Sequence, residues 1–387
     1  MERITLRDGI YLERVQKMQA LARANGYDVI IIASDEAEPA NVRYFTGYVP
    51  VFETTAIMIP AEGEAALLIG PESEALAKRS SKVKRIEKLL EFRETSDPEY
   101  PDLEYSTFAQ LLSSCGQLKR IGIIGANVMT VQVYLGILEG AGEARIEKCD
   151  QLLRDMRMIK TPEEIAMQRT AAQIAQQGFE KGIQRIAPGM TEHEVISEFV
   201  HAVMQEGAEG TGFPFWCVSG SNSNQAIGKS SYKRVERNEI IQITMGAMYE
   251  GYVASFGRPI SFGKPADAKA YELLQLGLEA NKLTHSLIAP GMEARGIVEK
   301  VHGFVRDSGY GEYIVYGPCH GTGMIEVEAP WMETSSDYIL QPNMTFQVDT
   351  FISGPTFGCR WEKGVVITET GCEATSKPIG KIYEIEV

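Results

Sequence analysis

The chain has 387 residues, 44% hydrophobic and 23% charged, with a formal net charge of −14. That length allows two domains with a core each, and the acidity excludes nucleic acid and anionic membrane as partners, since both select a basic face. No run approaches the ~18 apolar residues of a membrane helix, and the Met1 end lacks the apolar core of a secretory leader. YLERVQKMQALARANGYD has apolar positions at helical spacing and stops on Asn-Gly, and YDVIIIASD reads as a buried strand. VRYFTGY and AIMIPAEGEAALLIG read as further strands, ESEALAKRS as a short helix and KRIGIIGAN as another strand. This alternation predicts an α/β domain over residues 1–155. IGIIGAN lacks the G-x-G-x-x-G of a dinucleotide site. A second domain, 156–387, opens on a helical stretch in which Thr161-Pro162-Glu163-Glu164 reads as cap, first-position proline and acidic first turn.

The second half repeats itself. IAPGM occurs at 186–190 and again at 288–292, each time after one helical segment and before another (TEHEVISEFVHAVMQEG, EARGIVEKVHGFVRDSG). Strand-rich sequence follows both copies, so a duplicated helix–PGM–helix–strand unit with a site between its halves is expected. Six cysteines are scattered without a C-x-x-C pair, which predicts free thiols and a cytoplasmic protein. Of the five histidines, His193, His201, His285 and His302 fall in helical segments; His320, in GPCHGTG, has a site-like setting. The stretch QITMGAMYEGYVASFGRP, 242–259, carries only Glu250 and Arg258 as charges, in a chain otherwise rich in carboxylates.

NVRYFTGY, RMIKTPEEIAMQRTAAQIA, APGMTEHEV, SGSN, GAMYEGY, PCHGTG, NMTFQVD and GVVITETGCEAT, in that order, resemble the pita-bread family of creatinase, prolidase, aminopeptidase P and methionine aminopeptidase. The resemblance implies an α/β N-terminal domain of creatinase/prolidase type followed by an α+β, pseudo-symmetric pita-bread catalytic domain. It also implies a homodimer in which the first domain closes the partner's substrate pocket. The family's peptidases hold two metal ions through two Asp, one His and two Glu. Carried onto this chain, the two Asp fall on Thr244 and Ser255, the His on His320, and the two Glu on Asp349 and Glu362. Creatinase works without metal through a His after its S-G-x-N turn. That position falls on Ile227, and creatinase's Glu falls on Gly257, while Arg258 is kept.

Neutral hydroxyls at 244 and 255 cannot balance two adjacent dications in a partly buried cleft. The resulting expectation is a metal-independent hydrolase that cleaves a C–N bond of a small-molecule substrate and needs no cofactor. His320, Asp349 and Glu362 form its acid–base set. Arg360, Tyr252, Trp216 and Arg258 bind substrate, and Thr244 and Ser255 mark former metal-ligand positions. Glu326 and Glu328 join the cleft without an assigned role. Two alternatives remain: a mononuclear Xaa-Pro-type peptidase whose ion is held by His320, Asp349 and Glu362, and a non-catalytic binding protein of the same fold. Cys319 is disfavoured as a nucleophile because neighbours in an extended segment point to opposite faces.

Overall fold

In the computed structural model, which describes residues 4–377 and 380–386, the apolar run Val29–Ser34 is buried at every position and becomes a central strand, β1. With β2 (Thr55–Pro60), β3 (Ala66–Ile69), β4 (Arg85–Lys88), β5 (Arg120–Ile124) and β6 (Arg145–Lys148) it forms a six-stranded sheet in the order β4-β3-β2-β1-β5-β6. β1 is parallel to β5 and antiparallel to β2. Helices α1 (Gly9–Ala24), α2 (Ala40–Thr46), α3 (Glu74–Ser80), α4 (Phe108–Ser113), α5 (Val131–Ala141) and α6 (Asp150–Met158) interleave with these strands. Leu6–Met156 make one unit, and the chain from Arg157 together with Ile4 and Thr5 the other. One predicted element is corrected. VRYFTGY is the helix α2 rather than a strand, since Pro39 starts it and Gly47, at φ 74°, closes it with an N–H donated to Arg43 O.

The second unit is built twice. Its first half has α7 (Pro162–Gly182), α8 (Glu192–Gln205), β7 (Trp216–Ser219), β8 (Ile241–Tyr249) and β9 (Tyr252–Phe262). Its second half has α9 (Ala268–Leu287), α10 (Ala294–Asp307), β10 (Cys319–Gly321), β11 (Glu328–Met332), β12 (Thr345–Ser353) and β13 (Gly358–Ile367), followed by β14 (Cys372–Ala374) and β15 (Tyr383–Ile385). Thr161 and Thr191 close capping boxes on α7 and α8 with Glu164 and Glu194.

The two IAPGM copies make the same turn. Gly189 and Gly291 lie at φ 90° and 84°, a left-handed backbone that favours glycine. Each donates its N–H over 2.8 Å, Gly189 to Val235 O and Gly291 to Leu340 O. Met190 O and Met292 O accept in return from Val235 and Leu340. The halves form separate sheets, β15-β9-β8-β7 and β11-β10-β12-β13-β14, each with its own apolar core against its own helix pair. The sheets meet where β9 runs beside β13: Ser255 Oγ donates to Glu362 Oε2, and Gln347 Nε2 to Ser255 O. Among the described residues no helix is long and apolar enough to cross a membrane.

Candidate active site

Strand alternation sets the site. β12 and β13 pair antiparallel with Asp349 opposite Glu362, and Arg360, two residues before Glu362, shares its face. The Arg360 guanidinium therefore lies between the two acids, with Nη1 3.2 Å from Asp349 Oδ2 and 2.9 Å from Glu362 Oε1. Its Nη2 donates to Ala226 O and, over 3.0 Å, to the hydroxyl of Tyr316. The Tyr316 hydroxyl donates in turn to Asp349 Oδ2 at 2.7 Å. The rings of Phe351 and Trp216 flank the guanidinium, with centroids 5.2 and 5.7 Å from its carbon.

His320 enters from β10, the neighbour of β12. Its Nδ1 lies 2.9 Å from Gly321 O, a pure acceptor, so Nδ1 carries a proton, and in the neutral ring Nε2 presents the lone pair. Nε2 faces Glu326 Oε1 at 3.5 Å, and Trp331 packs on the ring with centroids 5.1 Å apart. His320, Glu326 and Glu362 each offer a ligand atom within 4.8 Å of the other two.

Three carboxyl groups, Glu326, Asp349 and Glu362, thus crowd one guanidinium. When all are ionised, two negative charges are left over in a buried cluster. The acids respond accordingly: burial, then the Asp349 charge, pushes Glu362 up to about 8, and burial raises Glu326 above the ordinary carboxylate range. An imidazole nitrogen and two carboxylates suit a divalent transition ion, and one such ion neutralises that excess. The residues present fit it.

Several expected site residues sit elsewhere or are already engaged. Asp349 lies outside that trio, which includes Glu326 instead, and its Oδ2 is engaged by Arg360 and Tyr316. Arg360 is no free anchor for a substrate carboxylate, since both terminal nitrogens are bonded within the protein. Tyr252 is buried with its hydroxyl on Glu164 Oε1 of α7 at 2.7 Å, away from the cluster. Arg258 is buried over the Phe256 ring and donates to backbone carbonyls of Gly257 and Glu362. Trp216 does reach the cluster, opposite Thr244 across β7 and β8.

Ser255 touches Glu362, and Thr244 faces Gly257, where an added Cβ would lie 2.8 Å from Glu362 Oε2. The buried Thr244 Oγ1, Trp216 Nε1 and Asp349 Oδ1 have no hydrogen-bond partner among the described residues. Cys319 is buried in the second core, which drives its thiol well above its ordinary value. Trp361 is likewise core, bonded to Leu274 O, and Ile227 is 89% exposed. Tyr316, four residues before His320, carries no site signal in the sequence, and Glu326 reads there only as a cleft residue.

Comparison with known proteins sharpens the picture. The family model described as metallopeptidase family M24 matches residues 166–369, and that of the creatinase/prolidase N-terminal domain matches 14–159. A Pyrococcus furiosus protein named Xaa-Pro dipeptidase is 28% identical over 367 residues, 94% of this chain and 98% of its own. The crystal structure of the prolidase from Pyrococcus horikoshii superposes with a TM-score of 0.82 at 26% identity, covering 96% of this chain and 99% of that one. That of the X-Pro aminopeptidase from Thermotoga maritima gives 0.82 at 27%, with the same coverage. These matches, to a family of metallopeptidases and to relatives named for Xaa-Pro peptides, overturn the expectation of a metal-independent, cofactor-free hydrolase. Glu326, whose carboxylate is hydrogen-bonded to Ser255, puts an acid beside one of the two hydroxyl positions, so Thr244 and Ser255 do not by themselves fix the charge available to an ion.

Proposed function

The chain belongs to metallopeptidase family M24, and on that premise we propose that it is a mononuclear metal-dependent hydrolase of Xaa-Pro peptides whose ion is held by His320, Glu326 and Glu362. The observation that carries this reading is the ligand trio, within 4.8 Å, in a buried cluster where three carboxyl groups crowd the Arg360 guanidinium. A divalent ion there supplies a Lewis acid for the scissile carbonyl and an acidified water.

The chain's own groups supply the rest. Gly321 O fixes the His320 tautomer, and Arg360 holds Glu362 and Asp349 in orientation. Asp349 Oδ1, buried and unpartnered, takes the proton of the attacking water and returns it to the departing prolyl nitrogen. Trp216, Phe351, Tyr316 and Trp331 line the cluster with apolar faces suited to a pyrrolidine ring. The same reading makes the protein a cytoplasmic homodimer acting on small peptides, with domains 1–155 and 156–387; the free cysteines agree with a reducing compartment.

The test is metal content by plasma mass spectrometry together with hydrolysis of alanyl-proline after loading with manganese, cobalt or zinc. One ion per chain is expected, lost together with the activity in His320→Ala, bound measurably but more weakly in Glu326→Gln, and retained in Asp349→Asn. A protein that takes up no ion, or that binds it with wild-type affinity in both ligand variants, overturns the reading.

A further inference from the structure

Glu326 is useful to an ion only if something fixes the turn that carries it. That turn joins β10 to β11, where the register of the two strands shifts after His320. The side chain of Glu328, the first residue of β11, folds back beneath it. Glu328 Oε1 accepts the N–H groups of Met324 at 2.7 Å and Ile325 at 3.3 Å, the two residues before Glu326. Arg157 Nη2 donates to the same oxygen, and Lys160 Nζ lies 3.4 Å from Oε2. A Cβ on Gly323 would meet both carboxylate oxygens at 2.7 Å, so any larger residue there would displace the Glu328 carboxylate. The near side of the turn is tied to strands instead: Thr322 N–H donates to Thr345 O at 3.2 Å, and Val253 N–H to Gly323 O at 2.7 Å. The path from His320 to Glu326 is therefore anchored at four consecutive residues, and one carboxylate anchors the last two.

We propose that Glu328 is a positioning residue for the divalent ion, setting the turn that brings Glu326 to His320 and Glu362. This rests on the metal site proposed above. Glu328 has no place at the ion itself, since two backbone amides and two cationic side chains already occupy its oxygens. It acts through Glu326, as hydrogen-bonded groups behind a ligand act, and such groups change metal affinity by about 10–100-fold when replaced. The competing reading is an ion pair that only stabilises the fold. A double-mutant cycle separates the two, because a group that acts through Glu326 has nothing left to act on once Glu326 no longer binds metal.

The experiment is calorimetric titration of the full chain with manganese(II), for the wild type, Glu326→Gln, Glu328→Asp, Glu328→Gln, Gly323→Ala and the three double variants with Glu326→Gln, with circular dichroism to establish folding. Glu328→Asp keeps a negative charge for Arg157 and Lys160 and only shortens the reach to the turn. Gly323→Ala displaces the carboxylate without removing any charge and carries the same expectation. Each should weaken manganese binding by about 10–100-fold when Glu326 is present and by no more than about 2-fold when residue 326 is glutamine. Equal losses in both backgrounds, or unchanged affinity in a folded Glu328→Asp or Gly323→Ala protein, overturn the proposal and leave the metal site standing. A wild type that binds no manganese overturns both.

Discussion

The hairpins β8–β9 and β12–β13 are the same object seen twice, 105 positions apart. Gln242, Thr244, Ser255 and Gly257 occupy in the first the register positions that Gln347, Asp349, Arg360 and Glu362 occupy in the second. The glutamines do equivalent work. Gln242 grips the backbone of Arg360, accepting from its N–H at 2.8 Å and donating to its carbonyl at 3.1 Å, while Gln347 donates to Ser255 O at 3.0 Å. At the other three positions the copies part: hydroxyl, hydroxyl and glycine in one, acid, guanidinium and acid in the other. The duplication preserves what holds the sheets together and leaves the chemistry to diverge. The neutral half is not idle, however. Gly257 leaves open the space beside Glu362 Oε2 and Arg360 Cγ, so the bare strand makes room for the charged one.

That contrast can be broken most forcefully at Arg360. Arg360→Met leaves three crowded carboxyls without their cation, and uncovering buried charge of this kind costs about 3–5 kcal/mol. Urea unfolding of the metal-free protein measures the loss, and saturating manganese should recover part of it. An unchanged midpoint would mean that the acids are balanced by something other than the guanidinium.

Glu328 tests the same half by pH. Its two cationic neighbours and the Met324 amide outweigh burial and hold its carboxyl down to about 2, against an ordinary 4.5. The stabilisation is therefore fully present above pH 4.5 and is lost as pH falls towards 2; a shift of this size is worth about 3 kcal/mol. Thermal unfolding of metal-free wild type and Glu328→Gln should differ most at neutral pH and converge in acid. A gap that widens on acidification refutes the assignment. On the neutral half, Gly257→Ala pushes a methyl into Glu362 Oε2 and should cost about 1–3 kcal/mol of overpacking, again read by urea.

Both halves were legible in the sequence to different depths. The repeated IAPGM, the capping Thr161 and the order of motifs make the duplicated second domain and the two-domain layout legible, because each depends on local chemistry. Arg360 and Glu362 are two residues apart on one strand, so their shared face follows from alternation alone. The capture of Asp349 by that arginine does not, since it depends on the β12–β13 register. Glu326 lies on a turn after a register shift, where no periodicity predicts direction, and its partner His320 comes from another strand. The segment Ala40–Thr46 reads as a strand because Val42, Tyr44, Phe45 and Thr46 favour strands in isolation; tertiary burial of these residues overrides that preference.

The smallest effect is the one that decides whether the neutral half takes part in the chemistry at all. Thr244 holds the position equivalent to Asp349, and its hydroxyl is buried with no partner among the described residues. A valine has the same shape and removes an unsatisfied polar group, so Thr244→Val should leave stability unchanged or raise it by about 1 kcal/mol. Manganese affinity and alanyl-proline hydrolysis should stay as they are. If instead the variant loses stability, or loses turnover with metal affinity intact, the hydroxyl has a partner supplied by water, ion or substrate. The first hairpin would then be a working face of the site, and the division between a binding half and a space-making half would no longer hold.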